Sequence, residues 1–207
     1  LGDVYKRQED DPDMSLVKPF PCTQKSLFKK CLRDLTGRTG VRRLIGLIGM
    51  DIGLLKYTVA AEVERVPRNG KSMRAYLIEG GRNMFPVILS NVAIIAVLAS
   101  FGIAWVYSAW VVAYLTSFSL FIRVRSIAEH ACMPGGDDVF QNTRTTHAGI
   151  LARLTVAPMN VNYHQEHHLM ASVPYYRLPR LHRILRERGM GSQAAGYLEV
   201  LRIASAA

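Results

Sequence analysis

Three histidines in the C-terminal half lie within five residues of one another, in the sequence His164-Gln165-Glu166-His167-His168. On a helix, residues three and four apart share one face, so all three imidazoles would point at one site. Neutral imidazoles presented together bind metal ions, and iron, copper and zinc all accept them. The spacing therefore predicts a metal site. A surface patch of histidines that titrates near neutral pH and an artificial histidine tag are the alternatives that the spacing leaves open.

Two further histidines, His147 and His182, stand apart from this cluster. His147 follows a threonine-rich loop, where a local hydrogen bond or a cap is the favoured role and metal binding is the alternative. His182 lies in a basic amphipathic stretch, residues 178–188, which predicts a surface helix and an exposed ring. No G-x-S-x-G motif, catalytic carboxylate pair or phosphate-binding loop competes with the histidines for the chemistry.

A long uncharged run precedes the histidine region and predicts the elements that must position it. From Asn83 to Ile122 the chain carries no charged residue over 40 positions. A single helix of that length would be about 60 Å long, twice the roughly 30 Å of a hydrocarbon core. We therefore predict two membrane-crossing helices of about 18 residues each, folded back near residues 100–104. A buried helical hairpin in a soluble protein is the alternative.

The charges around this hairpin predict its orientation in the membrane. Arg74 and Arg82 precede the uncharged run, and Arg123 and Arg125 follow it. By the positive-inside tendency both flanks are expected in the cytoplasm, with a short tip outside. The histidine cluster follows the hairpin, so the site is predicted on the cytoplasmic side of the membrane.

The composition favours a membrane protein over a nucleic-acid-binding one. The 207 residues are 49% hydrophobic and 20% charged, and 26 Lys and Arg against 16 Asp and Glu give a formal charge of +10. The basic residues flank apolar segments and do not alternate with aromatic ones as on a nucleic-acid platform. Cys22, Cys31 and Cys132 lack the paired spacing of a disulfide framework or a zinc knuckle, which predicts reduced thiols.

Together these patterns predict an all-α integral membrane protein with a transmembrane helical hairpin and a cytoplasmic, histidine-rich helical cap. We expect a short basic helix at residues 26–35, an interfacial helix at residues 44–55 and a charged segment at the membrane surface over residues 60–82. The predicted organisation has four segments: a non-native or junction segment (1–8), a cytoplasmic and interfacial segment (9–82), the transmembrane hairpin (83–122), and the cytoplasmic histidine region with a C-terminal helix (123–207).

The residues around the histidine cluster resemble the third histidine box of membrane fatty acid desaturases. The resemblance is most specific over Asn162–Leu169 and the following tail, Val173–His182. Upstream, Arg125–His130 and Thr143–Thr146 are similar to the segment that precedes this box in bacterial members. Near the start, the stretches Asp11–Asp13 and Arg33–Gly40 are similar to the region after the family's second box. The resemblance covers about residues 9–190.

The resemblance implies a histidine-ligated pair of iron ions that, with O2, introduces a double bond into an acyl chain. His164, His167 and His168 match the third box, and His130 matches the further ligand that the family places after its last transmembrane helix. The implied partners are the lipid bilayer, an acyl lipid or acyl thioester substrate, and an external electron donor of the ferredoxin or cytochrome b5 type. No nucleic-acid partner is predicted.

Two polar neighbours of the histidines are candidates for supporting roles. Glu129, beside His130, is placed to orient an imidazole. Asn160, four residues before His164, is placed to hold a water or a ligand, and it is equally a candidate helix cap.

The chain also departs from the family pattern. That pattern includes an H-x-x-x-H box and an earlier H-x-x-H-H box, but no histidine precedes His130 in this sequence. We therefore expect the chain to be the C-terminal part of a desaturase, with the second box ending just before Glu9, and to be inactive alone. A related membrane di-iron hydroxylase and a non-catalytic membrane fragment are the alternatives. Acyl chain length, double-bond position and head group are not predicted.

Overall fold

A computed structural model of the chain describes residues 17, 19–57, 63–67, 70, 72–134, 138–191 and 194–207. The predicted junction at residues 1–8 lies outside the described residues. The described part forms two compact units. One, here called the histidine unit, takes its described residues from the chain up to Cys31 and from Phe121–Ala207. The other, the hairpin unit, takes them from Leu32–Thr58 and Glu62–Leu120.

The first elements in the chain belong mainly to the hairpin unit. They are the helices α1 (Gln24–Leu35) and α2 (Arg38–Asp51), the strands β1 (Leu55–Tyr57) and β2 (Val63–Arg65), and the helices α3 (Met73–Ser100), α4 (Val106–Leu115) and α5 (Ser117–His130). The strands β1 and β2 pair antiparallel, with Leu55 opposite Arg65. The helix α5 carries the chain from the hairpin unit into the histidine unit.

Among the described residues, two helical stretches are long and apolar enough to cross a membrane, Met73–Ser100 and Val106–His130. The most apolar 18-residue window of the first has no buried position, and 28% of the corresponding window of the second is buried. The core helix of a soluble protein would be mostly buried, so this exposure favours contact with lipid. The prediction of two apolar membrane helices is thus supported by their length, composition and exposure.

The hairpin folds back where the sequence predicts, because α3 ends at Ser100 and α4 begins at Val106. The first helix, however, starts ten residues earlier than the uncharged run, at Met73. The hydroxyl of Ser72 accepts a hydrogen bond from the backbone N–H of Ala75, which caps the helix and allows its first turns to carry charge. Much of the segment predicted as a surface region over residues 60–82 is therefore the start of α3.

The remaining elements belong to the histidine unit. They are α6 (Val139–Asn142), β3 (Thr146–His147), α7 (Ile150–Leu154), α8 (His164–Leu169), α9 (Leu178–Glu187), β4 (Ala195–Gly196) and α10 (Tyr197–Ala204), with 3-10 turns at Pro158–Asn160 and Tyr175–Arg177. The strands β3 and β4 pair in parallel, with Thr146 opposite Ala195. A small apolar core packs α5 against α10, through Ile127, Ala128, Ala131, Val200 and Ala204.

The chain is mostly helical, as predicted, and it also contains short strands that the sequence pattern does not predict. The predicted basic helix at residues 26–35 corresponds to α1, and the one at residues 178–188 corresponds to α9. The interfacial helix predicted at residues 44–55 begins earlier, at Arg38, and ends at Asp51. The three cysteines form no disulfide.

Within the hairpin unit, α2 and α4 approach each other closely at Gly40. A Cβ atom added to Gly40 would lie 2.1 Å from the carbonyl oxygen of Leu115 and 2.5 Å from its Cα. One turn further along α2, the guanidinium of Arg43 donates to the carbonyl oxygen of Tyr114 at 2.8 Å. Because the neighbouring atoms at Gly40 belong to the backbone, only glycine allows this packing.

We predict that Gly40→Ala destabilises the chain and that Gly46→Ala does not. Overpacking against the backbone costs about 1–3 kcal/mol, whereas alanine in an open helical position stabilises by up to about 1 kcal/mol. Nothing lies within 4 Å of a Cβ added to Gly46, so this variant of the same helix is a matched control. Thermal unfolding in detergent, followed by circular dichroism, measures the difference. Equal melting temperatures for both variants would contradict the close approach.

Candidate metal centre

His130 is the last residue of α5, and its ring is fixed by the backbone that follows. The side chain is 3% exposed, and Nδ1 lies 3.3 Å from the carbonyl oxygen of Asn142. In the tautomer that donates from Nδ1, the other ring nitrogen, Nε2, is left with a lone pair. Such a hydrogen bond behind the ring is the usual arrangement of a metal-binding histidine.

His164 begins α8 and faces His130. The two Nε2 atoms are 2.9 Å apart, and Nδ1 of His164 lies 3.5 Å from Oε1 of Glu129. The pKa of His164 is lowered well below its usual value. Burial is the largest cause, and the positive charge that neighbouring His130 would carry is the second. The His164 ring is therefore neutral at pH 7, which is the form that binds a metal ion.

Three of the predicted ligands converge on one point. Ligand atoms of His130, His164 and His168 all lie within 4.8 Å of one another. This donor set consists of imidazole nitrogens, which suit iron, copper and zinc. The buried positions of His130 and His164, the hydrogen bond behind the His130 ring and the Glu129 carboxyl group beside Nδ1 of His164 also fit a metal site. The three imidazoles are thus suited to bind one metal ion, and they would form part of its ligand set.

The other histidines take different positions. The ring centroid of His167 lies 6.2 Å from that of His164, and His167 is not part of the group of three. Its exposed side chain lines an adjacent cavity instead. His147 lies in β3 with an exposed side chain, away from the cluster.

The two polar neighbours differ in their relation to the cluster. Glu129 is 2% exposed, and its Oε1 accepts from Nε of Arg125 at 2.7 Å while it lies beside His164. Asn160 donates from Nδ2 to the carbonyl oxygen of Tyr175 at 3.3 Å. Asn160 therefore links the two 3-10 turns, and the contact that the structure gives it is with the backbone.

A cavity of about 210 Å³ opens beside the cluster. Its polar lining comes from Arg125, His164, His167 and Tyr175, and its apolar lining from Met159, Val161, Ala171, Val173 and Leu178. Ligand pockets usually measure about 300–1,000 Å³, so this cavity holds only part of a large apolar ligand.

The polar segment Thr143–Thr146 connects the elements that carry the histidines, a role that its sequence does not indicate. The guanidinium of Arg144 donates to the carbonyl oxygens of Ala131 at 3.0 Å and Ala128 at 3.4 Å. These carbonyls lie at the end of α5, so Arg144 caps the helix that ends in His130. Burial lowers the pKa of Arg144, because the cation has been removed from water.

The same segment also binds the loop and helix on the other side. The backbone N–H of Thr146 donates to the carbonyl oxygen of Asn162 at 3.0 Å, and Nδ2 of Asn162 donates to the carbonyl oxygen of Thr146 at 2.9 Å. Thr145 donates its hydroxyl to Oε2 of Glu166 in α8. A single buried segment therefore contacts both sides of the histidine cluster.

His182 is not the exposed surface residue that its basic helix predicted. Its side chain is 24% exposed, and Nδ1 lies 2.5 Å from Oε1 of Glu166. No periodicity in the sequence indicates this pair, because the two residues belong to different helices.

We predict that Arg144→Met destabilises the chain by about 3 kcal/mol or more, since it removes two hydrogen bonds from a charged group and each contributes about 1.5–3 kcal/mol. Arg153→Met is the control, because Arg153 is an exposed arginine that also donates to a backbone carbonyl, that of Ala148. We expect little change there. Chemical denaturation of both variants in detergent measures the loss, and equal effects would contradict a capping role for Arg144.

We also predict that the chain binds one Co²⁺ tightly through the three converging imidazoles. His164→Ala is expected to weaken binding at least about 100-fold, which is the upper end of what removing a supporting residue costs. His147→Ala, outside the cluster, is expected to bind as the unaltered chain does. Isothermal titration calorimetry measures both. Equal loss in the two variants would show that binding is nonspecific.

Comparison with protein families connects this geometry to known sequences. A family model described as fatty acid desaturase matches residues 5–199. No curated protein and no solved structure matches the chain.

Proposed function

Because the chain belongs to the fatty acid desaturase family, we propose that it serves the O2-dependent introduction of a double bond into an acyl chain at a histidine-ligated iron centre. The observation that carries this proposal is the group of three converging imidazoles, the buried His130 and His164 and the partly buried His168. One of them ends the second helix that is able to cross a membrane.

The chain's own residues would hold the metal from two directions. His130 comes from the end of α5, and His164 and His168 come from α8. His167 lies outside this group and beside the cavity, so we propose it as a ligand of a second ion. Glu129 would orient His164 through Nδ1. Four histidines are too few for two ions ligated mainly by imidazole, so further ligands would come from outside this chain.

The substrate explains the need for a metal. An alkyl chain offers no group that a side-chain acid, base or nucleophile attacks. When bound at this site, reduced iron with O2 supplies the oxidising power that removes a hydrogen from each of two neighbouring methylenes, with electrons from an external donor and water as the other product.

The cavity supports an apolar substrate. Its walls include Met159, Val161, Val173 and Leu178, beside the imidazoles of His164 and His167. A segment of an acyl chain from a lipid or a thioester would lie along this apolar lining. We propose that the site faces the cytoplasm, since arginines flank both ends of the hairpin, and that a ferredoxin or a cytochrome b5-type protein supplies electrons there.

Lipid analysis of a host that makes only saturated acyl chains tests the reaction. The complete reading frame that encodes this chain is expected to yield alkenes, detected by gas chromatography with mass spectrometry. His164→Ala should abolish them, and His147→Ala should not. Hydroxylated chains in place of alkenes would favour a hydroxylase on the same scaffold. Normal expression without any oxidised lipid would contradict both reactions.

The 207 residues alone are expected to form no double bond, since their histidines include only four candidate ligands. Expression of this chain in the same host measures that directly. Robust alkene formation by the chain alone would contradict the inference that further ligands are needed.

A further inference from the structure

We propose that Thr145, Glu166 and His182 form a positioning network that holds the histidines of α8 in the orientation that metal binding requires. The network lies behind the ligands and contributes no ligand itself. The inference rests on the metal centre proposed above. It adds His182 and Thr145 as residues that act on the metal through Glu166.

The helix α8 is too short to determine its own orientation. It has six residues, and the residue at its N-cap, Tyr163, makes no side-chain capping hydrogen bond. Helices shorter than about 12 residues are marginal in isolation, so their geometry depends on tertiary contacts. A ligand helix of this length needs anchors on the side away from the metal.

Glu166 is on that side. At about 100° per residue, the three histidines of α8 cover an arc of about 100°, and Glu166 lies nearly opposite its centre. The residue is 1% exposed, so its carboxyl group is removed from water. A buried polar group of this kind is strongly unfavourable without hydrogen-bond partners.

Glu166 finds its partners on two different elements. Oε1 lies 2.5 Å from Nδ1 of His182, which belongs to α9. Oε2 accepts the hydroxyl hydrogen of Thr145, in the segment that follows α6. Because the two anchors come from separate parts of the fold, they restrict the rotation of α8 about its own axis. That rotation determines where His164 and His168 point.

His182 acts through Glu166 and not on the metal. It is not in the group of converging ligand atoms, and its ring packs against Tyr163 with centroids 5.3 Å apart. Tyr163 directly precedes α8, so His182 supports both the start of the helix and its buried carboxyl group. This placement defines His182 as a positioning residue.

Titration of the detergent-solubilised chain with Co²⁺ tests the network, with affinity and the visible absorption spectrum as readouts. His182→Asn places an amide N–H near the position of Nδ1, so it is expected to keep near-native affinity. His182→Leu removes the donor and is expected to weaken binding 10–100-fold, as for other residues that orient metal ligands. Its spectrum at saturating Co²⁺ is also expected to change, because the ligands are held differently.

Two controls separate positioning from general destabilisation. His147→Leu replaces an exposed histidine outside the cluster and should change neither readout. A purely structural role of His182 would lower the melting temperature but leave the saturated Co²⁺ spectrum unchanged. If His182→Leu does not fold, Thr145 carries the same comparison: Thr145→Ser keeps the hydroxyl and should bind normally, and Thr145→Val should lose affinity.

The outcomes distinguish this inference from the proposed function. The network would be overturned, and the metal centre left intact, if His182→Leu binds Co²⁺ with native affinity and an unaltered spectrum. If His182→Leu does not fold, the same result in Thr145→Val would overturn it. Equal losses in His182→Asn and His182→Leu would also overturn it, since the donor would then not matter. Failure of the unaltered chain to bind Co²⁺ would overturn the metal centre and the network together.

Discussion

The histidine unit depends on the burial of one polar segment, Thr143–Thr146, whose residues are 1–9% exposed. Such a segment is stable inside a protein only when its polar groups find partners. Arg144 donates to a backbone carbonyl at the end of α5, and Thr145 donates its hydroxyl to Glu166 in α8. The backbone carbonyl of Thr146 accepts a hydrogen bond from Asn162. Since these partners lie on both sides of the histidine cluster, satisfying the segment also fixes the two ligand-bearing helices. The convergence of imidazoles from distant parts of the sequence follows from this requirement.

The apolar helices and the proposed metal ligands are connected through a single continuous stretch of chain. The second apolar helical stretch ends at His130, so the same stretch that is able to cross the bilayer also supplies an imidazole. The proposed chemistry would then lie at the end of a candidate membrane-crossing segment, close to the membrane surface. The apolar wall formed in part by Val173 and Leu178 gives an acyl chain a favourable environment beside the ligands.

Local patterns in the sequence predicted much of the architecture. The hairpin and its turn follow from hydropathy and length, and the facing of His164 and His168 follows from helical spacing. Contacts between distant residues were not predictable in this way. His182 and Glu166 are 16 residues apart and belong to separate helices, and no periodic pattern records their pairing. The early start of α3 was missed because a capping hydroxyl at Ser72 outweighs the charges of the first turns.

The separation of His130 and His164 along the sequence has a consequence for the lifetime of the protein. An ion bound by both would close a loop of 34 residues and act as a removable cross-link between α5 and α8. Ligand present at about 100 times its dissociation constant stabilises the folded state by about 2.7 kcal/mol. The supply of that ion would then govern how long the chain resists proteolysis.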